Sequence, residues 1–215
     1  MQKITKNKPK VLFLDWNKTL SHSLFWSQLS EPNHIYGHYH KIITEWLFNK
    51  NSHLIDSWMR GEFTAEQICQ FIATENALDY GIIWQTLKES CENMSLCSPK
   101  IIDLVKNIRQ QGIKVIVATD NMDTFRRFTT QGLGLDKIFD DFLVSCDLGV
   151  LKYDINKQVI PFFDAFMKTN NLNYEEVVLI DDSAEKSGVY NELGFNIVLI
   201  KDTYDLLDQL QKYVD

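Results

Sequence analysis

Five short apolar runs recur along this chain, with longer stretches of mixed polarity between them. The runs are Val11 to Leu14, Ile113 to Ala118, Phe142 to Ser145, Val177 to Ile180 and Ile197 to Ile200. They are continuously apolar instead of alternating, which is typical of parallel strands that are buried on both faces. The pattern therefore predicts five parallel β-strands.

Helical stretches lie between the later strands, and glycines at 112, 132 and 194 punctuate their ends. The last stretch carries an apolar face that includes Leu206 and Leu210. Alternation of strand and helix with right-handed crossovers gives an α/β fold, a doubly wound parallel sheet whose ligand site lies at the carboxyl ends of the strands. We expect any chemistry to follow the apolar runs directly.

Residues 20–97 break this alternation, because they carry helical periodicity throughout and no clear strand. Thr64 and Gln67 form a capping-box pair that starts one of the helices. We predict an inserted α-helical cap domain at 20–97 and a core domain made of residues 1–19 and 98–215. The helical spacing favours a place in the helix bundle for four tryptophans, at positions 26, 46, 58 and 84.

Composition and charge narrow the classes of function. The 215 residues are 45% hydrophobic, enough for a buried core, and Lys plus Arg number 22 against 29 for Asp plus Glu. With a net charge of -7 there is no basic face for nucleic acid. No apolar run reaches the roughly 18 residues of a membrane helix, and the four cysteines form no CxxC pair. We expect a cytoplasmic protein with reduced cysteines; the sequence does not indicate its oligomeric state.

Polar residues follow four of the predicted strands. They are Asp15 to Thr19, then Thr119-Asp120-Asn121, then Lys152, then Asp181-Asp182. Each alone could be a helix cap or a solvated side chain. Two adjacent carboxylates at the end of a buried strand, however, repel each other unless a cation compensates them. The aspartate pair is therefore the strongest single signal.

In this order, these residues resemble the signature of the haloacid dehalogenase (HAD) superfamily, and the resemblance spans essentially the whole chain. The family pattern is Asp-x-Asp-x-Thr, then Ser or Thr, then Lys, then an acidic pair. A helical cap inserted after the first motif is also the family's habit. The resemblance implies a Rossmann-like HAD core and a phosphatase that acts on a small phosphorylated molecule.

Residue by residue, the resemblance implies that Asp15 is the nucleophile that forms an aspartyl-phosphate. Thr119 and Lys152 would hold the phosphoryl group, with Asp120 and Asn121 beside them at the start of the following segment. Mg²⁺ would be held by Asp15, the main-chain carbonyl of Asn17, and Asp182, with help from Asp181.

The chain departs from the pattern at Asn17, where the family usually has its general acid and base. An amide cannot exchange a proton near neutral pH, so a step worth about 10²- to 10⁴-fold is missing or done by another group. Three explanations are open: substrates with good leaving groups, loss of turnover with retained binding, or an engineered change. Smaller departures are Tyr153, in place of a proline, and Lys186 and Ser187, in place of a further acid.

Two other functions compete with the phosphatase. One is a degenerate protein that binds a ligand or partner with little or no turnover. The other is a dehalogenase-like hydrolase, whose relatives also lack the second aspartate and need no metal; the pair Asp181-Asp182 speaks against it. A transition-metal site at His34, His38 and His40 is the weaker interpretation of these residues, since no cysteine or acid completes a standard spacing.

Overall fold

The structure, a computed structural model, describes residues 8–156, 159–183 and 188–214. Within them, five parallel strands form one sheet in the order β3-β2-β1-β4-β5. The strands are β1 (Val11–Leu14), β2 (Lys114–Thr119), β3 (Asp141–Val144), β4 (Val177–Asp181) and β5 (Asn196–Leu199). The predicted doubly wound α/β fold is confirmed, and each strand lies within one residue of its predicted bounds.

Helices connect the strands and build the segment before β2. The α-helices are α1 (Gly37–Ile43), α2 (His53–Met59), α3 (Ala65–Asn76), α4 (Tyr80–Glu92), α5 (Lys100–Gln110), α6 (Thr130–Gly132), α7 (Ser145–Leu148), α8 (Pro161–Thr169), α9 (Val189–Glu192) and α10 (Thr203–Gln211). Thr44–Lys50 and Phe125–Thr129 are π-helical, and Ser27–Ser30, Leu135–Lys137 and Tyr174–Glu176 form 3-10 turns. No helix in the described part of the chain is both long and apolar enough to span a membrane.

The sheet is covered on both faces, because successive side chains of a strand point to opposite sides. Leu12 belongs to a hydrophobic cluster that contains Ile101 of α5 and Leu206 of α10. Its neighbour Phe13 belongs to a second cluster, in which its ring lies 4.9 Å from that of Phe163 in α8. The central strand is therefore buried from two sides, and only its carboxyl end can present polar groups.

Residues 20–97, which we call the cap segment, contain α1 to α4 and no β-strand, as the periodicity predicts. The backbone N–H of Cys97 donates to the carbonyl of Leu20 at 2.8 Å, so the segment leaves and rejoins the rest of the chain at one place. The capping box of Thr64 and Gln67 is present at the start of α3. The division into two domains remains a prediction.

The cap segment shares its hydrophobic cluster with one face of the sheet. Trp26 and Trp58 are buried in that cluster, and Trp46 and Trp84 are partly buried against it. The prediction that these four indoles serve packing is confirmed. Because one continuous apolar cluster joins both parts, the cap segment is packed onto the sheet instead of hanging from a linker.

One glycine plays a different part from the predicted one. Gly132 is the last residue of α6 and has no positive φ; the left-handed residue that follows is Gly134, with φ of 61°. A Cβ at Gly132 would lie 2.5 Å from the carbonyl oxygen of Glu92, at the end of α4. Close packing between two helices therefore requires glycine here. Gly112 and Gly194 have positive φ, as expected for helix stops.

Candidate active site

The ends of β1, β2 and β4 bring three predicted motifs to one edge of the sheet. Leu14 is in register with Val117 of β2 and Ile180 of β4. The next residue, Asp15, donates its backbone N–H to the carbonyl of Ile180 at 3.0 Å. Since β4 ends at Asp181, the two carboxylates start from adjacent strands. This is the crevice where the strand order reverses, the usual ligand position in such sheets.

Lys152 joins the two carboxylates. Its Nζ donates to Asp15 Oδ1 at 2.7 Å and to Asp181 Oδ2 at 2.6 Å. All three residues are buried, with relative exposures of 3% for Lys152, 5% for Asp15 and 0% for Asp181. A buried ammonium between two buried carboxylates is a costly arrangement unless each group is paired. The structure thus brings together three residues that lie far apart in the sequence.

The backbone of Lys152 is fixed from both sides. Asp120 Oδ1 accepts a hydrogen bond from the N–H of Lys152 at 2.9 Å. The Tyr190 hydroxyl donates to the Lys152 carbonyl oxygen. Sequence reasoning gave Asp120 a place beside the substrate and gave Tyr190 no part, since neither contact leaves a local pattern. Both contacts fix the backbone of Lys152, from which the side chain extends to the two carboxylates.

The charges at this edge do not cancel. Burial raises the pKa of Asp15 to about 7, against the opposing effect of Lys152. Burial also raises the pKa of Asp120 above its usual range. For Lys152, burial lowers the pKa, but the surrounding carboxylates outweigh it, so the lysine stays charged. One cation therefore faces several carboxylates, and a further cation would relieve the excess.

A divalent ion fits the carboxylates geometrically. Asp15, Asp181 and Asp182 each offer a carboxylate oxygen, and these oxygens all lie within 4.8 Å of one another. Asp182 is more exposed than the other two. Its pKa is raised, mainly by partial burial and secondly by repulsion from the Asp181 carboxylate. Oxygen ligands alone favour a hard cation such as Mg²⁺ or Ca²⁺. In the described part of the chain, this is the one cluster of such ligands.

Asp181 is oriented by the residues that follow it. Ser183 donates to Asp181 Oδ1 from its backbone N–H at 2.9 Å and from its hydroxyl at 3.0 Å. The Ser183 hydroxyl also lies 2.5 Å from that of Tyr153, the residue in the place of the family's proline. These bonds hold the carboxylate with one oxygen toward Lys152. Lys186 and Ser187, the other departures from the family pattern, lie outside the described residues.

Thr119 and Asn121 lie buried at the end of β2. The Thr119 hydroxyl has no hydrogen-bond partner among the described residues, although a buried hydroxyl normally has one. Asn121 donates its backbone N–H to the Ser145 hydroxyl at 2.9 Å, and its side-chain oxygen accepts from the Met122 N–H at 2.9 Å. Asn121 is thus held by the protein, whereas the Thr119 hydroxyl is not, and the hydroxyls of Thr19 and Thr124 are likewise without a partner among the described residues.

Asn17 is exposed and lines a cavity of about 370 Å³ between the cap segment and the strand ends. Asp120 and Asn121 line the same cavity, together with Trp16. Most of the remaining wall is apolar and comes largely from the cap segment: Leu24, Phe25, Phe48, Met59, Met94 and Met122. The cavity therefore adjoins the predicted site but differs from it in chemistry.

Polar contacts tie the cap segment to the sheet beside this cavity. Asp123 accepts from the indole N–H of Trp58 at 2.8 Å and from Arg127 Nη1 at 2.6 Å. Arg127 Nη1 also donates to Glu66 Oε2, on α3, at 2.9 Å. A second pair, Arg60 and Asp154, crosses the same boundary near Lys152. No sequence motif announced these contacts.

The histidines are spread over different surroundings. His34 Nδ1 accepts from the Tyr36 N–H at 3.2 Å, His38 packs edge-on against Tyr39, and His40 lines the cavity. Of the cysteines, Cys69 and Cys91 are buried in the cap segment, and burial raises the pKa of both thiols. Neither thiol is poised as a nucleophile, because the thiolate is the reactive form.

The sequence matches a known protein family over most of its length. A family model for haloacid dehalogenase-like hydrolases matches residues 10–186. That range includes the motifs around Asp15, Thr119, Lys152 and Asp181. No curated protein matches the chain in sequence.

Solved structures of similar fold include three informative ones. A HAD family enzyme, BT-2542, from Bacteroides thetaiotaomicron has a TM-score of 0.69 at 15% identity, covering 92% of this chain and 96% of that one. A HAD-like hydrolase from Porphyromonas gingivalis has a TM-score of 0.69 at 17% identity, covering 95% and 97%. The L-2-haloacid dehalogenase from Xanthobacter autotrophicus has a TM-score of 0.62 at 13% identity, covering 94% and 82%. At such identities the likeness supports the fold alone.

Proposed function

Since this chain belongs to the haloacid dehalogenase-like hydrolases, as the match over residues 10–186 shows, we propose that it is a magnesium-dependent phosphatase acting through Asp15. The substrate would be a small phosphorylated molecule, and the cap segment would exclude water from the reacting groups.

One observation carries the proposal: Lys152 Nζ lies within hydrogen-bond distance of both Asp15 and Asp181 in a buried cluster. A lysine there can bind a phosphoryl oxygen and hold the charge of the nucleophile. The buried, unpartnered hydroxyl of Thr119 supplies a second donor at the next strand end. A cationic donor, a hydroxyl and a carboxylate are the groups that phosphoryl transfer to an aspartate needs.

Mg²⁺ would be held by Asp15, Asp182 and the main-chain carbonyl of Asn17, with Asp181 beside them. The excess of buried carboxylates over Lys152 supports this assignment, because such groups are costly without a compensating cation. When bound, the ion would reduce the repulsion between nucleophile and phosphate. The BT-2542 enzyme has been crystallised with magnesium and inorganic phosphate.

In the proposed reaction, an oxygen of Asp15 attacks phosphorus while Lys152 and Thr119 hold the phosphoryl oxygens. The bond to the leaving oxygen breaks, and its electron pair stays on that oxygen. Water then attacks the aspartyl-phosphate and returns inorganic phosphate and free Asp15. Asn17 can position a leaving oxygen or a water by hydrogen bonding, but its amide does not supply or accept a proton near neutral pH.

A haloacid dehalogenase is the second candidate. The L-2-haloacid dehalogenase has a similar fold, and this chain, with Asn17, has no carboxyl group at the position of the phosphatase general acid. The cavity lining disfavours it: no lysine or arginine among the described residues lines the cavity to receive the carboxylate of a haloacid. In a dehalogenase, which needs no metal, the cluster of Asp15, Asp181 and Asp182 would stay without a compensating divalent ion and would repel such a substrate. Both observations favour the phosphatase.

The test is phosphate release from acetyl phosphate and p-nitrophenyl phosphate in Mg²⁺, with intact-mass detection of a phosphorylated protein. Both substrates have good leaving groups and so need little help from an acid. We expect release that disappears in Asp15→Asn and in chelator. Release of halide from a haloacid in chelator would instead support the dehalogenase.

The same experiment separates slow turnover from none. A phosphorylated protein without release would place the defect at water activation beside Asn17. Neither release nor phosphorylated protein, in a folded sample that binds Mg²⁺, would favour a protein that binds ligand without turnover.

A further inference from the structure

The cavity beside the site has an apolar mouth. Leu24 and Phe48 lie there with relative exposures of 63% and 39%. Large apolar side chains exposed together at the rim of a pocket mark a surface that something apolar covers. Deeper in the wall, Phe25 stacks on the buried ring of Trp58, with centroids 5.8 Å apart and planes inclined by 29°. This contact fixes a flat aromatic wall.

Methionines complete the wall. Met59 comes from α2, Met94 follows α4, and Met122 follows β2. Thioether side chains are flexible and polarizable, and they make favourable contacts with aromatic rings. The cavity, of about 370 Å³, is within the range of small-molecule pockets. Its volume and mostly apolar wall, to which the cap segment adds the polar side chains of Ser23, His40 and Thr44, therefore suit a ring or a compact apolar group.

The charge of the cavity wall also favours an uncharged group. No lysine or arginine lines the cavity in the part of the chain that the structure describes, and Asp120 contributes negative charge. A second phosphate or a carboxylate on the substrate would enter next to the Asp120 carboxylate and without a lysine or arginine partner, with only the imidazole of His40 in the described wall. The part of the substrate that occupies the cavity is therefore uncharged.

Asn17 lines the same cavity. In the proposed phosphatase, this position, two residues after Asp15, faces the leaving group. Without a proton from this position, the leaving oxygen departs as an anion. A phenol ionises near pH 10, whereas an aliphatic alcohol, like water, ionises about five units higher. A phenoxide therefore leaves without acid assistance far more readily than an alkoxide.

We infer that the substrates are phosphate monoesters of uncharged phenols, with the aryl group seated in the apolar cavity against Phe25 and Phe48. This inference rests on the proposed phosphatase. In the step it adds, the P–O bond to the aryl oxygen breaks and the electron pair stays on the phenoxide. The phenoxide takes its proton from solvent after it leaves. Water hydrolyses the aspartyl-phosphate, giving inorganic phosphate.

The test compares kcat/KM for five phosphate esters in Mg²⁺. They are 1-naphthyl phosphate, phenyl phosphate, a phenyl phosphate with a ring carboxylate, a neutral phenyl phosphate of equal leaving-group acidity, and glycerol 3-phosphate. We expect the naphthyl ester to exceed the phenyl ester by about tenfold, through burial of the larger ring. The carboxylated ester should fall about tenfold below a neutral ester of equal leaving-group acidity, and the alkyl ester about a hundredfold below phenyl phosphate. Equal or better turnover of glycerol 3-phosphate would overturn the inference.

Variants assign the preference to the cavity. Phe48→Asp at the mouth should lower kcat/KM for the naphthyl ester about tenfold, mostly through KM. Ile102→Asp, at an exposed apolar position on α5 away from the cavity, should change nothing. His40→Gln and Asp120→Asn check two other titratable groups of the cavity. If alkyl esters are turned over and either variant stops them while aryl esters still react, an acid is present and the inference fails.

Acetyl phosphate and a binding assay distinguish the two proposals. If Asp15-dependent hydrolysis of acetyl phosphate occurs but aryl and alkyl esters react alike, the phosphatase stands and the aryl class is wrong. If nothing is hydrolysed, calorimetric binding to Asp15→Asn decides: tighter binding of 1-naphthyl phosphate than of glycerol 3-phosphate supports the aryl class. Equal binding overturns it.

Discussion

The indole N–H of Trp58 donates to Asp123 Oδ1 at 2.8 Å, joining the cap segment to the loop that follows β2. Trp58 is fully buried, so its only polar atom is satisfied by a residue three positions beyond Asp120. Asp123 in turn binds Arg127, which reaches back to Glu66 on α3. The cap segment is thus held at the edge of the candidate site by a partly buried hydrogen bond and a surrounding ion-pair network.

Removing the acceptor should show what this bond stabilises. We expect Asp123→Ala to lower the free energy of unfolding by about 1 to 3 kcal/mol, because it leaves the buried indole N–H without a partner. Trp58→Phe in the same background should cost less than it does in the wild type, since that N–H is already unpaired. A double-mutant cycle from chemical denaturation measures this coupling, and strictly additive losses would contradict it.

Lys152 is expected to matter for stability as well as for activity. In chelator, Lys152→Met should lower the free energy of unfolding by about 3 to 5 kcal/mol, because two buried carboxylates lose their cation. Added Mg²⁺ should recover part of this loss. The exposed Lys168, which among the described residues pairs with Asp164, gives the matched control in Lys168→Met, for which we expect almost no change. Equal losses in the two variants would refute the assignment.

Stability of the metal-free protein should fall between about pH 4 and 7 through Asp15. Its pKa rises from 3.8 to about 7 on burial, so the folded state binds its proton more tightly than the unfolded state does. The resulting stability is present at low pH and is lost as pH rises through about 7. Asp15→Asn should remove this part of the pH dependence, as thermal melting in chelator across this range would show.

The affinity for Mg²⁺ should depend on the protonation of the same carboxyl group, that of Asp15. Ligand carboxylates must ionise to bind the ion, so the increase in melting temperature caused by Mg²⁺ should be larger at pH 8 than at pH 6. The increase should nearly vanish in Asp15→Asn at both values. An increase independent of pH would place the ion away from Asp15.

Thr119→Val separates a ligand-binding role from a structural one. The Thr119 hydroxyl is buried and unpartnered among the described residues, so replacing it with a methyl group should leave stability unchanged or raise it. Binding of inorganic phosphate in Mg²⁺ should weaken about tenfold, since one hydrogen bond to a charged oxygen is lost. Calorimetry and denaturation on the same sample measure both effects. Lower stability with unchanged phosphate affinity would assign the hydroxyl to the fold.

Asn17→Asp tests the missing acid directly. A carboxyl group at this position should raise kcat for alkyl phosphates by about 10² to 10⁴ and for aryl phosphates much less. Steady-state rates for glycerol 3-phosphate and p-nitrophenyl phosphate in both proteins give the comparison. A uniform gain or no gain would mean that the Asn17 position does not face the leaving oxygen.

Strands and their polar ends were predictable, because a buried parallel strand is apolar throughout and a charged residue must lie at its end. Val11–Leu14 followed by Asp15, and Val177–Asp181 followed by Asp182, are complete local signals of this kind. The helical cap segment was predictable for the same reason, since its period of 3.6 residues is local. These features decide the fold and the identity of the candidate site residues.

Contacts across the cap boundary were not predictable, because they join residues whose neighbours in sequence carry no pattern. Asp123, Arg127 and Glu66 meet only after two elements have packed. Asp120 is another example. Its place after β2 predicted a position beside the substrate, and sequence alone did not reveal that its carboxylate also accepts the backbone N–H of Lys152. Gly132 was predicted to end a helix, whereas glycine is required there because a Cβ would collide with the carbonyl oxygen of Glu92. In each case tertiary packing decides.

The position of β1 in the sheet has a consequence for synthesis of the protein on the ribosome. The strand that precedes Asp15 is the first to be made, but its two neighbours begin at Lys114 and Val177. At roughly 5 to 20 residues per second, the apolar run Val11–Leu14 is outside the ribosome for seconds to tens of seconds before either neighbour exists. The candidate site can therefore form only after β2 and β4 have been made. Of the five strands, the one that carries the proposed nucleophile is thus exposed longest to chaperones that bind short apolar segments.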